Sequence, residues 1–350
     1  MIDLSDNPSL TPFTAHRLHL ELEAREPIRL GQHTGSALRG MFYRALMALT
    51  GPVQAIGGAQ GAGQMQFLPN EPVRYLLASL DEENARGKDI PRPYTLEPTP
   101  PPAWMDDTRE VRAEVVYAPG QPLRFGFTLY ARAMELFPYV ILAFKRAEQL
   151  GIGRPDENGW RGRFALAQVW CSNPFSGQAQ DVFAEGDQLV RVPDLPITHA
   201  DVLAAPPPSG HTLVLEFHTP MTLRAQGQPV NAPHFSVLLH RLIERLSELS
   251  AHFADAPLPG LPASRDERNA LLRLADSVRL VHDGTHWVGL NGYSARQQAP
   301  TTLSGFVGTA VYEADPAVWA ACLPLLRWGE IVHAGKHAVK GNGWYSIAAC

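Results

Sequence analysis

The chain has 350 residues, room for two domains of ordinary size, and its formal charge of −5 excludes a surface coated in positive charge, so a polyanion would have to be met by a local patch. Its three cysteines, Cys171, Cys322 and Cys350, lie too far apart for a CxxC zinc pattern or a secreted disulfide framework, and a reducing cytoplasm is the expected compartment. No charged-then-apolar leader opens the sequence, and its longest apolar runs fall far short of a membrane span.

In chain order, alternation in "HRLHLELEA" puts Leu18, Leu20 and Leu22 on one face of a strand. "TGSALRGMFYRALMALTG" reads as a helix with Thr34 as N-cap, Leu38, Met41, Phe42, Ala45, Leu46 and Leu49 on the buried side, and Gly51 as stop. The glycine- and glutamine-rich "GPVQAIGGAQGAGQMQ" has no periodicity and reads as a mobile loop. "LRFGFTLYA" is a strand, "FPYVILAFKRAEQLG" a helix entered at Pro138 and ended at Gly151, and "RFALAQVW" a strand. Pro206, Pro207 and Pro208 in "ADVLAAPPPSG" form a stiff connector, which places the domain boundary between 1–205 and 210–350.

The second half repeats this grammar. "HTLVLEFHT" is a strand, "NAPHFSVLLHRLIERLSELSAHF" an amphipathic helix capped by Asn231, and "VRLVH" and "HWVGL" a hairpin about "DGT". After the strand "SGFVGTAVYE", Asp315 and Pro316 open a surface helix stopped by Gly329, and a basic glycine loop leads to a last strand at "WYSI". Strand, helix, strands, helix, strand is the order of a ferredoxin-like (RRM-like) sandwich, so the expected fold class is α+β with two such domains in tandem.

The loop carries Gly335, Lys336, His337, Lys340, Gly341 and Gly343. Glycines admit a phosphate close to the backbone and the lysines add charge, yet the loop runs from helix to strand and lacks GxxxxGK[ST], which disfavours a nucleotide P-loop. It is either a solvated turn or an RNA contact, since this scaffold carries RNA on basic loops and stacking side chains.

The segments "LEFHTPMTLRAQGQPV", "FSVLLHRLIERLSEL", "GYSARQQ", "LSGFVGTAVYE" and "LPLLRWGEIVHAGKHAVKGNGWYSI" resemble, in order, the C-terminal region of the CRISPR-associated endoribonucleases that process precursor CRISPR RNA, the sixth Cas family of the RAMP superfamily. "ALRGMFYRAL", "IPRPYTLEP" and "FTLYARAMELFPYVILAFKRAEQLGIG" extend the likeness to the first half. The resemblance implies a glycine loop that grips repeat RNA. It also implies metal-independent cleavage, in which the ribose 2'-OH attacks the scissile phosphate to give a 2',3'-cyclic phosphate and a 5'-OH, with retention of the mature crRNA. Repeat RNA and other Cas effector subunits are the implied partners, with no cofactor, no metal and no membrane. Two departures stand out: His337 replaces a loop glycine, and the histidine that many relatives carry in or just after the first helix is missing, Gln54 standing about there. A non-catalytic crRNA-binding RAMP subunit is therefore the rival expectation.

Cleavage of this kind needs a base, an acid and cations. Arg39 and Tyr43, four residues apart on the first helix, share a face away from Leu38, Phe42 and Leu46. Tyr43 matches a tyrosine that contributes to catalysis in some relatives, or packs at a helix edge; Arg39 clamps a phosphate, or is solvated. His33, the histidine just before that helix, is a base or acid, or an exposed loop residue. His333 and His337 flank Gly335 and Lys336 and are candidates for RNA stacking. His16, His19, His211 and His218 read as sheet residues, and no histidine and carboxylate set on the long helix has metal-ligand spacing.

Overall fold

The computed structural model describes residues 11–50, 76, 91–99, 104, 114–207, 210–294 and 299–348. Its first sheet is antiparallel. It is built from β1 (Ala15–Ala24), β3 (Tyr94–Pro98), β5 (Pro122–Tyr130), β6 (Phe164–Asn173) and β7 (Gln178–Ala184), in the order β3-β5-β1-β6-β7. A short ribbon of β2 (Ile28–Gly31) and β4 (Glu114–Tyr117) stands apart. The helices α1 (Thr34–Thr50) and α2 (Phe137–Leu150) cover one face of the sheet. Leu18, Leu20 and Leu22 alternate toward them and meet Leu38, Phe42, Val140 and Phe144 in one core.

After α3 (His199–Ala204) the pattern recurs. β8 (Thr212–Met221) is followed by the ribbon β9 (Leu223–Ala225) and β10 (Gln228–Val230), then α4 (Phe235–Phe253) and α5 (Arg265–Asp276). β11 (Arg279–Val288), the ribbon β12 (Asn291–Ser294) and β13 (Ala299–Thr302), β14 (Gly305–Glu313), α6 (Pro316–Val332) and β15 (Tyr345–Ile347) complete the chain. The second sheet runs β11-β14-β8-β15 and repeats the order β3-β5-β1-β6, so the molecule is a pair of ferredoxin-like domains. The likeness reaches individual side chains. On β1, His19 faces Trp170 of the neighbouring strand, stacks on its ring at 5.1 Å and bonds Ser172 Oγ at 2.7 Å. On β8, His218 packs on Trp344 at 4.6 Å and bonds Ser346 Oγ at 2.7 Å.

Four local expectations are corrected. β11 runs unbroken through "DGT", because its ladder with β14 extends from Arg279 to Val288 while Asp283 satisfies Thr285 locally through its own carboxylate. α4 begins at Phe235 and not at Asn231, since Pro233 keeps the preceding residue out of the helical region. Gly329 does not end α6, which continues to Val332; a Cβ there would collide with Tyr345 and Leu242, so this glycine permits close packing. α6 is also largely buried, including Trp328 and the aliphatic stem of Arg327, whose guanidinium donates to the carbonyls of Val202, Ala205 and Pro206.

The second core includes Phe13, Tyr130 and Ile197 from the first half of the chain, which welds the halves together. Across the seam Arg245 of α4 donates to Val332 O at 2.7 Å and Thr95 Oγ1 at 3.2 Å, and Arg132 pairs with Asp255.

Candidate functional site

The start of α1 meets the glycine loop at this seam. His33 precedes the helix, and its Nδ1 accepts the N–H of Ser36 at 3.1 Å, sharing this first-turn amide with its own carbonyl oxygen at 3.2 Å. The imidazole is therefore the cap, whereas Thr34, expected in that role, is the first helical residue and its buried hydroxyl has no hydrogen-bond partner among the described residues. With its lone pair engaged by Ser36, His33 is the neutral tautomer that carries its proton on Nε2. That N–H donates to Asn342 Oδ1 at 2.5 Å. Asn342 is fully buried, and its amide donates to Pro220 O at 3.2 Å and Leu303 O at 3.0 Å, which fixes the carbonyl toward His33. Burial lowers the His33 pKa to about 4, with the Lys340 charge acting the same way against the opposing bond to Asn342.

Gly335, Gly341 and Gly343 all have left-handed backbone, with φ of 75°, 87° and 73°. At all three the reason is also a close approach: a Cβ on Gly335 would strike the carbonyl of Thr222, one on Gly341 would strike Pro98 at the end of β3, and one on Gly343 would strike the carbonyl of Ala334. His337 has φ of 62°, the left-handed backbone that glycine adopts readily, and adds a ring there. Burial, then Lys340, Lys336 and His33, lower its pKa to about 4. His333 is wholly buried at the end of α6, also with φ of 61°, and its ring lies parallel to Trp344 at 6.3 Å.

The two lysines serve different neighbourhoods. Lys336 is exposed, and burial and Arg224 lower its pKa. Lys340 is half-buried, and both its burial and the charge of Arg39 lower its pKa. The Arg39 guanidinium also lies beside the buried phenol of Tyr94, and its Nε is buried with no hydrogen-bond partner among the described residues. Two cations held against each other, partly out of water, form a site that an anion would stabilise. Tyr43, one turn on from Arg39, is partly buried against the first core.

Of the residues singled out in the sequence, His33, Arg39, His337, Lys340, Gly341 and Gly343 belong to one neighbourhood and Lys336 turns toward Arg224. Sequence reasoning missed Asn342 and Tyr94; the signal for Asn342 was a lone amide between two glycines. Gln54 lies outside the described residues. Among the described residues no set of three His, Cys, Asp or Glu side chains is placed to hold a metal ion, and no helix is long and apolar enough to cross a membrane. A separate cleft of about 530 Å³ is lined by Arg17, Arg327, Glu330 and Trp344.

A family model described as an N-terminal domain matches residues 13–195, and the model of the CRISPR-associated endoribonuclease Cas6 matches residues 215–345. No curated protein sequence matches. Among solved structures, a Cas6 of Thermus thermophilus aligns over 96% of this chain and 99% of its own at 14% identity and a TM-score of 0.53. A Cas6 product complex aligns over 96% and 99% at 17% identity and 0.52. A chain of a partial Cas6-RT-Cas1–Cas2 complex aligns over 97% of this chain and 47% of its own, at 11% identity and 0.55. At these identities the structural likeness establishes the fold.

Proposed function

We propose, on the match of residues 215–345 to the Cas6 endoribonuclease model, that the chain is a Cas6-type enzyme that cuts precursor CRISPR RNA within its repeats, without a metal, and keeps hold of the crRNA it makes. The observation that carries this reading is the Arg39 and Lys340 pair at the meeting of α1 and the glycine loop. A scissile phosphate placed there supplies the missing anion, and the pair stabilises the charge that develops as the 2'-OH attacks. Tyr43 follows Arg39 by one turn, and its phenol O–H serves as a hydrogen-bond donor or acid near the leaving oxygen. His33 is the candidate base, but only by exchange: both ring nitrogens are engaged within the protein, so it takes a proton once substrate displaces Ser36 from Nδ1. A base with a pKa of about 4 is unprotonated across the neutral range. The rate therefore lacks the rising histidine limb that an ordinary imidazole would give.

The test is incubation of the purified chain with its repeat RNA in EDTA, with analysis of product ends. The expected result is a 2',3'-cyclic phosphate, with Arg39→Ala and Tyr43→Phe each lowering the single-turnover rate by about tenfold or more while changing affinity much less. Tight binding with no cyclic-phosphate product at any pH would refute the catalytic reading and leave a crRNA-binding subunit.

A further inference from the structure

Opposite the glycine loop in sequence, but against the same helix, lies the connection between α2 and β6. Its tip exposes Trp160, which at 74% exposure is the most exposed aromatic side chain among the described residues. This is not a slack loop. The Asp156 carboxylate accepts the N–H groups of Asn158 at 2.9 Å and Trp160 at 2.8 Å, the Asp156 N–H donates to Trp160 O at 2.7 Å, and Gly159 turns through φ of 84° between them. Its base is equally fixed: Ile152 and Gly162 pair as a bridge, and the Arg154 N–H donates to Arg29 O at 2.8 Å. A rigid turn that holds an indole in water keeps apolar surface unburied, and such a display is characteristic of a recognition element.

The surroundings name the partner's chemistry. Arg161 donates to Gly153 O, and Arg44, the residue after Tyr43 on α1, donates to Gly151 O at 3.4 Å. Burial first, and then the charge of Arg161, lower the Arg44 pKa. Arg29 is exposed on β2, and Arg154 is 63% exposed with Glu114 at 3.6 Å. Arg163 is committed to Glu26 at 2.6 Å, and Glu157 is the acid left on the loop, since Asp156 is occupied by the turn. Cations thus outnumber acids around one exposed indole, as a partner with π-faces and phosphates requires.

We propose that this loop is a second RNA contact, in which Trp160 stacks on an unpaired base and Arg29, Arg154 and Arg161 take the adjoining phosphates. The proposal rests on RNA being the ligand of the candidate site. Through Arg44 the loop is continuous with the helix that carries Arg39 and Tyr43, so the RNA leaves the cut along α1 and is clamped beyond it.

The experiment is equilibrium binding of end-labelled repeat RNA to the full chain over a salt series, with Trp160→Ala, Trp160→Phe and the double variant Arg29→Ala, Arg154→Ala. Trp160→Ala is expected to weaken binding by about 5-fold to 100-fold with an unchanged salt slope, and Trp160→Phe to recover most of it. The arginine variant is expected to lower the slope by roughly one to two units. Tryptophan quenching on binding is expected to shrink in Trp160→Phe. Wild-type affinity in Trp160→Ala would overturn the proposal, as would a loss of affinity accompanied by a lowered melting temperature and not recovered by phenylalanine. Failure of the wild-type chain to bind RNA at all would instead overturn the RNA reading on which the proposal rests.

Discussion

The bond between His33 and Asn342 joins residues 309 positions apart, and its energetic weight follows from its partners. Asn342→Ala removes three bonds made by a fully buried amide, stranding the His33 N–H and the Leu303 carbonyl, while Pro220 O keeps the N–H of Gly343 at 3.1 Å. At about 1 kcal/mol for each bond removed, the cost is about 3 kcal/mol, and more where a partner stays dry. His33→Ala loses the same bond and the cap on Ser36, about 1 kcal/mol each, for a total of about 2 kcal/mol. Because one bond is counted in both, the double variant should fall short of the sum by about 1 kcal/mol. Urea unfolding followed by tryptophan fluorescence measures all three. Protonation provides a second axis. The folded-state pKa of about 4 lies below the ordinary 6.5, so the unfolded chain takes the proton first, and the His33 contribution is complete above pH 6.5 and lost as pH falls toward 4. His33→Ala should remove part of the acid sensitivity that wild type shows in that window. Strict additivity of the two single variants, within about 0.3 kcal/mol, would refute the coupling drawn from the structure.

Replacing Lys336 and Lys340 together by alanine should weaken repeat-RNA binding and lower the salt slope by about 0.7–0.9 for each phosphate no longer neutralised; an unchanged slope would remove the loop from the RNA site. Gly341→Ala and Gly343→Ala should each destabilise the fold by more than the roughly 1 kcal/mol of a left-handed alanine, because Pro98 and Ala334 O must also shift, and thermal melting reads the loss. Glu330 on α6 accepts the N–H of Ile347 at 2.7 Å, and burial raises its pKa to about 7. The folded state therefore prefers the protonated acid, a preference complete below pH 4.5 and lost as pH rises through 7; Glu330→Gln should gain stability relative to wild type at pH 8 more than at pH 5, and equal differences would discount the burial.

Elements with strong periodicity were legible in the sequence. Leu18, Leu20 and Leu22 alternate cleanly, Asp315 and Pro316 open α6 with the Asp315 side chain accepting from Ala317 N, and Gly151 ends α2 with φ of 65°. What escaped was decided by tertiary packing. "DGT" is strong turn chemistry that a long ladder overrides, and Gly329 looks like a stop until Tyr345 is seen against it. The loop glycines read in the sequence as positions that let a phosphate approach the backbone, and what could not be read there is that Thr222, Pro98 and Ala334 of the protein itself crowd all three. The engagement of His33 was hidden for the same reason: a histidine ahead of a helix looks like a free titratable group, and only its distant partner Asn342 reveals it as neutral and occupied.

That distance has a consequence for biosynthesis. The helix with Arg39 and Tyr43 is translated early, whereas the residues that close the site, Lys340 and Asn342, follow some 300 positions later. While the intervening chain is still on the ribosome, α1 has a core to fold against but neither the partner of its capping histidine nor the second cation. Nascent protein therefore cannot assemble the site on transcripts it meets during its own synthesis. A message cut short anywhere before the glycine loop yields a product that lacks one wall of that site.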